Sequence, residues 1–129
     1  MTNYELSFGK IIILQDDIAE VVVEEGVEFN LEMVAEYHEF LLTHMQYPFS
    51  LLINKMNTYS YTFEAQQHLA KLSQINAMAV VAYNKATITS TKSLIVFASN
   101  ASWELKIFAL RESALKWLEE KQAVVKKEI

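Results

Sequence analysis

The chain has 129 residues, of which 52% are hydrophobic, and a net charge of −5 at neutral pH. This length suits one domain, and this apolar content excludes a disordered chain. The absence of cysteine excludes disulfides, thiolate metal sites and a cysteine nucleophile, and two glycines are too few for a phosphate-binding glycine loop.

The N-terminal segment predicts a β-hairpin. Two β-branched runs, 10–14 and 18–24, are separated by the polar residues 15–17, whose two aspartates favour a turn. Apolar and polar residues also alternate over 4–8, which indicates that the first strand begins earlier, with a bulge near Gly9.

The rest of the chain predicts helices that alternate with strands. Asn30 is a good N-cap for the first helix, because its side chain can accept a hydrogen bond from the first turn. Helical spacing of apolar residues places Leu31, Leu72 and Leu110 on inward faces. The predicted helices are 30–45, 62–74, 85–97 and 110–122, and the predicted strands after the hairpin are 49–53, 75–83 and 103–108.

The order ββαβαβαβα predicts a single α/β domain over residues 1–129, with a mixed sheet of about five strands and about four helices. Helical crossovers join parallel strands, so the last four strands are expected to be parallel. The first strand is then antiparallel at an edge. That edge leaves a homodimer open as an alternative, although Lys10 is a charge of the kind that prevents edge pairing.

Charge and patterning exclude several partners. An acidic chain is repelled by phosphates, so we expect no nucleic acid partner. No apolar run is long enough to span a bilayer, and the N-terminus lacks the basic and apolar regions of a signal peptide, so we expect a cytoplasmic protein without a membrane span.

No catalytic or metal-binding pattern is present. His38 and His44 lie about 240° apart around a helix, so their rings cannot share a metal ion. Neither glycine lies near a serine in the pattern of a nucleophile elbow. We therefore expect a protein that is not an enzyme and that holds no metal or cofactor.

Two buried strands run into the same dipeptide, Asn-Lys, and hydroxyl side chains follow each one near a helix start. Ligands of α/β proteins bind beyond the carboxyl ends of parallel strands, and helix N-termini attract anions. A ligand or partner site at this end of the sheet is one interpretation; helix caps and turns at strand ends are the other. The candidate residues are Asn54, Lys55, Asn57, Tyr59, Ser60, Tyr83, Asn84 and Lys85.

Segment 51–60, which ends in Asn-Lys-Met-Asn-Thr-Tyr-Ser, resembles a group of small bacterial proteins in which a strand ends in an Asn-Lys/Arg-x-Asn-Ser/Thr-Tyr-Ser pattern. The Glu-Gly-Val triplet 25–27 and the Glu-x-Ala-x-x-Trp pattern 112–117 match as well, and the resemblance covers nearly the whole chain. Those proteins resemble the STAS domain of anti-sigma-factor antagonists and sulphate transporters and its lipid-binding relatives of the CRAL-TRIO type. The resemblance implies a STAS-like fold.

Regulatory members of the wider family carry an Asp-Ser pair at the start of the second helix, and a partner kinase phosphorylates that serine. This chain has no such pair there; Ser60 is the nearest hydroxyl, with Thr58 and Thr62 as rivals. A regulatory module that presents loop 54–62 and the sheet edge to a protein partner is the first functional hypothesis. The alternative is a binding protein for a small anionic or lipid-like ligand at the strand ends.

Overall fold

The computed structural model describes residues 2–69, 71–98 and 103–128, with side chains described up to residue 92 in the second range and up to residue 126 in the third. The strands are β1 (Thr2–Leu6), β2 (Gly9–Gln15), β3 (Ile18–Val23), β4 (Glu28–Phe29), β5 (Phe49–Lys55), β6 (Ser60–Tyr61), β7 (Ile75–Ala82) and β8 (Glu104–Phe108). The helices are α1 (Leu31–His44), α2 (Phe63–Leu69), α3 (Lys85–Ala98) and α4 (Arg111–Glu128).

Six of the described strands form one mixed sheet in the order β1-β2-β3-β5-β7-β8. β1, β2 and β3 are antiparallel neighbours, whereas β3, β5, β7 and β8 are parallel. The predicted α/β class and the four parallel strands are confirmed. The predicted number of about five strands is one short, because residues 2–6 form a separate strand. This strand, β1, pairs with β2 and is the edge of the sheet, which the prediction had assigned to the first strand of the hairpin.

Gly9 allows the chain to enter β2 close against β3. Its φ is +155°, and a Cβ at this position would lie 2.1 Å from the Val22 carbonyl oxygen. An L side chain is excluded on both grounds. The predicted irregularity near Gly9 is thus a tight turn between two paired strands.

The sheet separates two apolar layers. One face packs against α1 and α2, and the other packs against α4. On the first face, Val34, Tyr37 and Leu41 of α1 are buried. On the second face, Ala114 and Leu118 of α4 are fully buried. This two-sided cover explains why β5 and the end of β7 are buried along both faces.

Local signals predicted helix starts better than helix lengths. Asn30 caps α1 as expected, because its Oδ1 accepts a hydrogen bond from the Met33 amide at 3.0 Å. α2 is shorter than predicted, and the Lys71 amide donates to the His68 carbonyl in a tight closing turn. α4 extends beyond its predicted end.

Two residues assigned to inward helix faces are exposed instead. Leu31 is the first residue of α1, and Leu110 precedes α4, so each lies at a helix end where the chain is turning. Helix ends fray and their boundaries vary by one or two residues, so the spacing rule is least dependable at these two positions.

β4 and β6 form a short parallel pair outside the main sheet. The pair holds the segment 56–62, which we call the covering loop, against residues 26–29, which precede α1. The sequence pattern of this segment predicted only a polar connection, because a strand of two residues is too short to produce a recognisable pattern.

Candidate functional site

A cavity of about 60 Å³ lies between the α1/α2 face of the sheet and the covering loop. That volume corresponds to roughly two water molecules, so the space suits one end of a ligand. Strands β3, β5, β7 and β8 form its floor, and aromatic rings form much of its wall. Its lining residues are Val21, Val23, Phe29, Tyr37, Ile53, Lys55, Tyr59, Tyr61, Gln66, Leu69, Met78, Val80, Trp103 and Leu105.

Lys55 places a charged group in this apolar cavity. It is the last residue of β5, and because side chains alternate along a strand, it shares the α1/α2 face with Ile53. The residue is 5% exposed. Its Nζ lies 5.4 Å and 5.1 Å from the ring centres of Tyr59 and Tyr61. Both rings can therefore stabilise the ammonium through cation–π contact.

Among the described residues, no carboxylate or hydrogen-bond acceptor pairs with the Lys55 amine. Burial without such a partner lowers the pKa of Lys55 to about 8. The amine is therefore mostly charged at neutral pH, yet it is far easier to deprotonate than an exposed lysine.

Trp103 contributes a second donor without a partner. The residue is 9% exposed, and its indole Nε1 is buried with no hydrogen bond to any described residue. Leaving a buried donor unpaired costs about 1–3 kcal/mol. Nε1 and the Lys55 amine belong to side chains that line the same cavity, so one acceptor group in the cavity offers a partner to either donor.

Three tyrosines in the wall remain uncharged. Burial raises the pKa of Tyr37 and Tyr59 above the ordinary range and raises that of Tyr61 to about 12. The Tyr61 hydroxyl donates to the Tyr59 hydroxyl at 3.2 Å. The wall is therefore neutral and aromatic, and the charge in the cavity comes from Lys55.

Backbone hydrogen bonds hold the covering loop over the cavity. The Gly26 amide donates to the Thr58 carbonyl at 2.7 Å, and the Ser60 amide donates to the Val27 carbonyl at 3.0 Å. Asn57 fixes the start of the loop, because its Nδ2 donates to the Val23 carbonyl at 2.9 Å. Thr58 and Ser60 are exposed on the outer side of the loop.

A second cluster lies on the opposite face of the sheet. Arg111 forms two hydrogen bonds to the buried Glu20 carboxylate, at 3.0 and 2.7 Å. Asn54 donates to the same carboxylate at 2.8 Å and accepts from the Tyr83 hydroxyl at 2.8 Å. Burial raises the pKa of Glu20, but the bonds from Arg111 and Asn54 outweigh it and hold that pKa below its usual value. Arg111 and Asn54 pair with both oxygens of the Glu20 carboxylate, so we assign this cluster a stabilising role in the fold.

The structure divides the candidate residues into separate groups. Lys55 and Tyr59 line the cavity, whereas Asn54 and Tyr83 belong to the cluster on the other face. Asn84 caps α3, since its Oδ1 accepts from the Thr87 amide at 2.8 Å. Four further candidates lie outside the cavity: Asn57 fixes the covering loop, Ser60 and Lys85 are exposed, and Thr62 caps α2 through its Oγ1.

Sequence reasoning missed Trp103, Glu20 and Arg111. Trp103 stands just before a strand, and Glu20 occupies a polar position within a β-branched run, so neither pattern identifies a buried role. Arg111 lies 91 residues from Glu20, and such a distant pairing has no local signal. The Asn-Lys dipeptide at the end of β5 and Tyr59 after it were the signals that indicated the cavity.

The chain is similar to a solved structure of an uncharacterised protein of the DUF3478 family from Shewanella loihica, described as having a SpoIIAA-like fold. The two chains share 19% identity with a TM-score of 0.58, over 84% of this chain and 89% of that one. This chain therefore has a SpoIIAA-like, STAS-like fold, as the resemblance predicted. A search of family models and a search of curated proteins found no match.

Two further findings concern the described part of the chain. No helix in it is both long and apolar enough to cross a membrane. No group of three or more histidine, aspartate or glutamate side chains within the described ranges is placed to hold a metal ion.

Proposed function

We propose that this protein is a non-enzymatic binding protein for a small anionic ligand with an apolar body, held in the cavity beside Lys55. The observation that carries the proposal is the buried Lys55 ammonium, which has no anionic partner among the described residues. An unpaired buried charge is costly, and a ligand carboxylate would supply the missing partner.

The cavity also limits the rest of the ligand. Its walls are aromatic and aliphatic, so they favour a flat or branched apolar body. Trp103 lines the same cavity, and its buried indole N–H is a second donor without a partner among the described residues. A small carboxylate whose apolar body extends beyond the cavity meets these requirements, and benzoate is a simple probe of that class.

Titration with benzoate tests the proposal, with Trp103 as the reporter. In a Trp117→Phe background, Trp103 is the remaining tryptophan. We expect benzoate to change its fluorescence, and neutral benzamide, which has the same shape, to bind about 10–100-fold more weakly, because hydrogen bonds to charged groups contribute about 1.5–3 kcal/mol. Equal binding of the two probes, or no response to benzoate, would contradict the proposal.

Affinity for benzoate should depend on pH in a defined direction. The ligand needs the protonated amine, and the pKa of Lys55 is about 8 in the free protein. We therefore expect a constant affinity between about pH 6 and 7, where the ligand is a carboxylate and the amine is protonated, and a falling affinity as the pH rises through 8. Lys55→Met should abolish benzoate binding, whereas Lys85→Met, which changes an exposed lysine, should leave it unchanged.

A regulatory interaction module is the second candidate, and the covering loop favours it. Tyr59 and Tyr61 of the loop line the cavity, while the exposed Thr58 and Ser60 face outward. A partner or a modifying kinase could thus contact the outer side of a segment whose inner side meets the ligand. The denatured mass of protein from its own cells tests this: a phosphoryl group mapped to Ser60 or Thr58 would support the module, and an unmodified chain would contradict a phosphorylation switch.

A further inference from the structure

Lys55 differs from the other lysines whose side chains are described. Lys121 and Lys126 form ion pairs with Glu104 and Asp17, and Lys106 extends over the rings of Phe108 and Trp117. The remaining described lysines are exposed or half-buried. In this set, Lys55 alone combines burial with a place in the lining of the cavity.

We propose that Lys55 forms a reversible imine with small apolar aldehydes that enter the cavity. The inference uses the cavity of the proposed function but does not depend on anion binding. It rests on three features of the site: the Lys55 residue is 5% exposed, no carboxylate among the described residues holds its amine as an ammonium ion, and aromatic and aliphatic side chains surround it. A desolvated lysine in an apolar pocket is a nucleophile for carbonyl groups.

The chemistry is balanced without an oxidant or reductant. The lone pair of the neutral Nζ attacks the aldehyde carbon, and a C–N bond forms as the π bond of the carbonyl group opens. The oxygen takes up one proton and the nitrogen releases one, which gives a neutral carbinolamine. Loss of the hydroxyl group with a proton, as water, then leaves the C=N bond. Tyr59 and Tyr61 stay protonated at neutral pH, and since the Tyr61 hydroxyl donates to the Tyr59 hydroxyl, the Tyr59 hydroxyl is the one that keeps a proton to donate to the carbonyl oxygen.

The protonation equilibrium of Lys55 supports this reaction. With a pKa of about 8, roughly a tenth of the amine is neutral at pH 7. An ordinary lysine is neutral in less than about one molecule in a thousand at that pH. The neutral fraction of Lys55 is thus about 300-fold larger, and Lys55 should react with aldehydes faster than an exposed lysine by up to that factor.

Labelling with benzaldehyde tests the proposal on the intact, unmodified chain. Sodium cyanoborohydride would convert the imine to a stable benzylamine, and peptide mapping would locate the added benzyl group. The α-amino group of the chain has a similar pKa and will also react, so the comparison is made between Lys55 and the exposed Lys85. We expect Lys55 to be labelled at least 10-fold faster than Lys85, and increasingly fast between pH 6 and 8.

Addition of benzoate to the same reaction separates this proposal from the proposed function. If benzoate protects Lys55 but not Lys85, both the imine and the anion site are supported. If Lys55 is labelled rapidly and benzoate gives no protection, the imine stands and the anion site fails. Labelling of Lys55 no faster than Lys85 would overturn the imine, and the fluorescence response to benzoate would then decide the anion site independently. Because the labelling uses the native protein, it does not depend on a variant that folds.

Discussion

Lys55 shows how strongly one residue can set the chemistry of a cavity. Of its neighbours along β5, Ile53 packs in the apolar core and Asn54 donates a hydrogen bond to Glu20. The Lys55 amine instead lies over two aromatic rings with no acceptor among the described residues. A buried ammonium without an acceptor lowers the free energy of unfolding. Unfavourable arrangements of this kind are concentrated at functional sites, which agrees with a role of Lys55 in binding.

Removing this charge should stabilise the protein. In Lys55→Met the apolar stem is kept and the buried amine is lost, and we expect a gain of about 1–3 kcal/mol in the free energy of unfolding at pH 7. The unfolded chain binds the lysine proton up to about pH 10.5, whereas the folded protein releases it near pH 8. Wild-type stability therefore rises with pH across this window, and the advantage of the variant should shrink over it.

Urea unfolding of wild type, Lys55→Met and Lys85→Met between pH 6 and 10.5 measures this effect. Lys85 is exposed, so its variant should differ little from wild type at any pH. A Lys55→Met protein that is less stable than wild type throughout the range would show that the amine has a stabilising partner.

Glu20 and Arg111 give the opposite case, a buried charge with its partners in place. Arg111→Met should lower the free energy of unfolding by about 2–4 kcal/mol at pH 7, because it leaves a buried carboxylate with Asn54 as its remaining donor. In wild type the lowered pKa of Glu20 contributes stability above its unfolded value of 4.5, and that stability is lost as the pH falls through the folded pKa.

The loss caused by Arg111→Met should therefore be largest near neutral pH and should shrink in acid, where Glu20 becomes protonated. Thermal or urea unfolding at several pH values checks this. Lys116→Met is the matched control, since Lys116 is exposed on the same helix. A loss that stays constant between pH 7 and pH 3 would argue that Arg111 acts through packing instead of through its charge.

Among the strands and helices, the sequence predicted most of what local chemistry determines. Asn30 at the start of α1 and the β-branched runs of β2, β3 and β5 have signals within a few residues. The sequence did not separate β1 from β2, because alternation continues across Gly9, and it did not show the β4–β6 pair. It also placed Asn54 and Lys55 in one site, although adjacent residues of a strand face opposite layers.

The two glycines offer a test of the turns that join these elements. Gly9→Ala should destabilise the protein by about 3 kcal/mol or more, because the new Cβ meets the Val22 carbonyl and the backbone conformation is unfavourable for alanine. Gly26 has a φ of +80°, but the space that a Cβ would occupy there is open. Gly26→Ala should thus cost only about 1–2 kcal/mol.

Chemical denaturation of both glycine variants measures the comparison. Equal losses would indicate that backbone conformation decides both positions and that the close approach at Gly9 is relieved by a small shift of β3. A larger loss for Gly26→Ala would contradict the steric role of Gly9 in the β1–β2 turn.

At the scale of the whole molecule, two sites with buried charges lie near the carboxyl ends of the parallel strands. The cluster of Glu20 and Arg111 lies on the α4 face and joins β3, β5 and α4. The Lys55 cavity lies on the α1/α2 face and lacks an equivalent partner among the described residues. Ligands of α/β sheets bind at this end of the strands, so the Lys55 cavity is the site that fits a binding role.

The fold itself does not choose between functions. A SpoIIAA-like fold is shared with a protein that is uncharacterised, and sites on one fold differ between proteins. The choice of a ligand-binding protein over an interaction module rests on Lys55, Trp103 and the cavity that they line.

A pH titration of the lysine side chains by NMR, with ¹³C at Cε, shows whether the Lys55 amine is an unpaired buried charge. We predict one lysine with a pKa near 8, whose signal is missing in Lys55→Met and whose pKa rises when benzoate is added, because a bound anion stabilises the ammonium. If every lysine instead titrates near the ordinary value of 10.5, the Lys55 amine is already paired or solvated, and the cavity has no unmet charge for a ligand to satisfy.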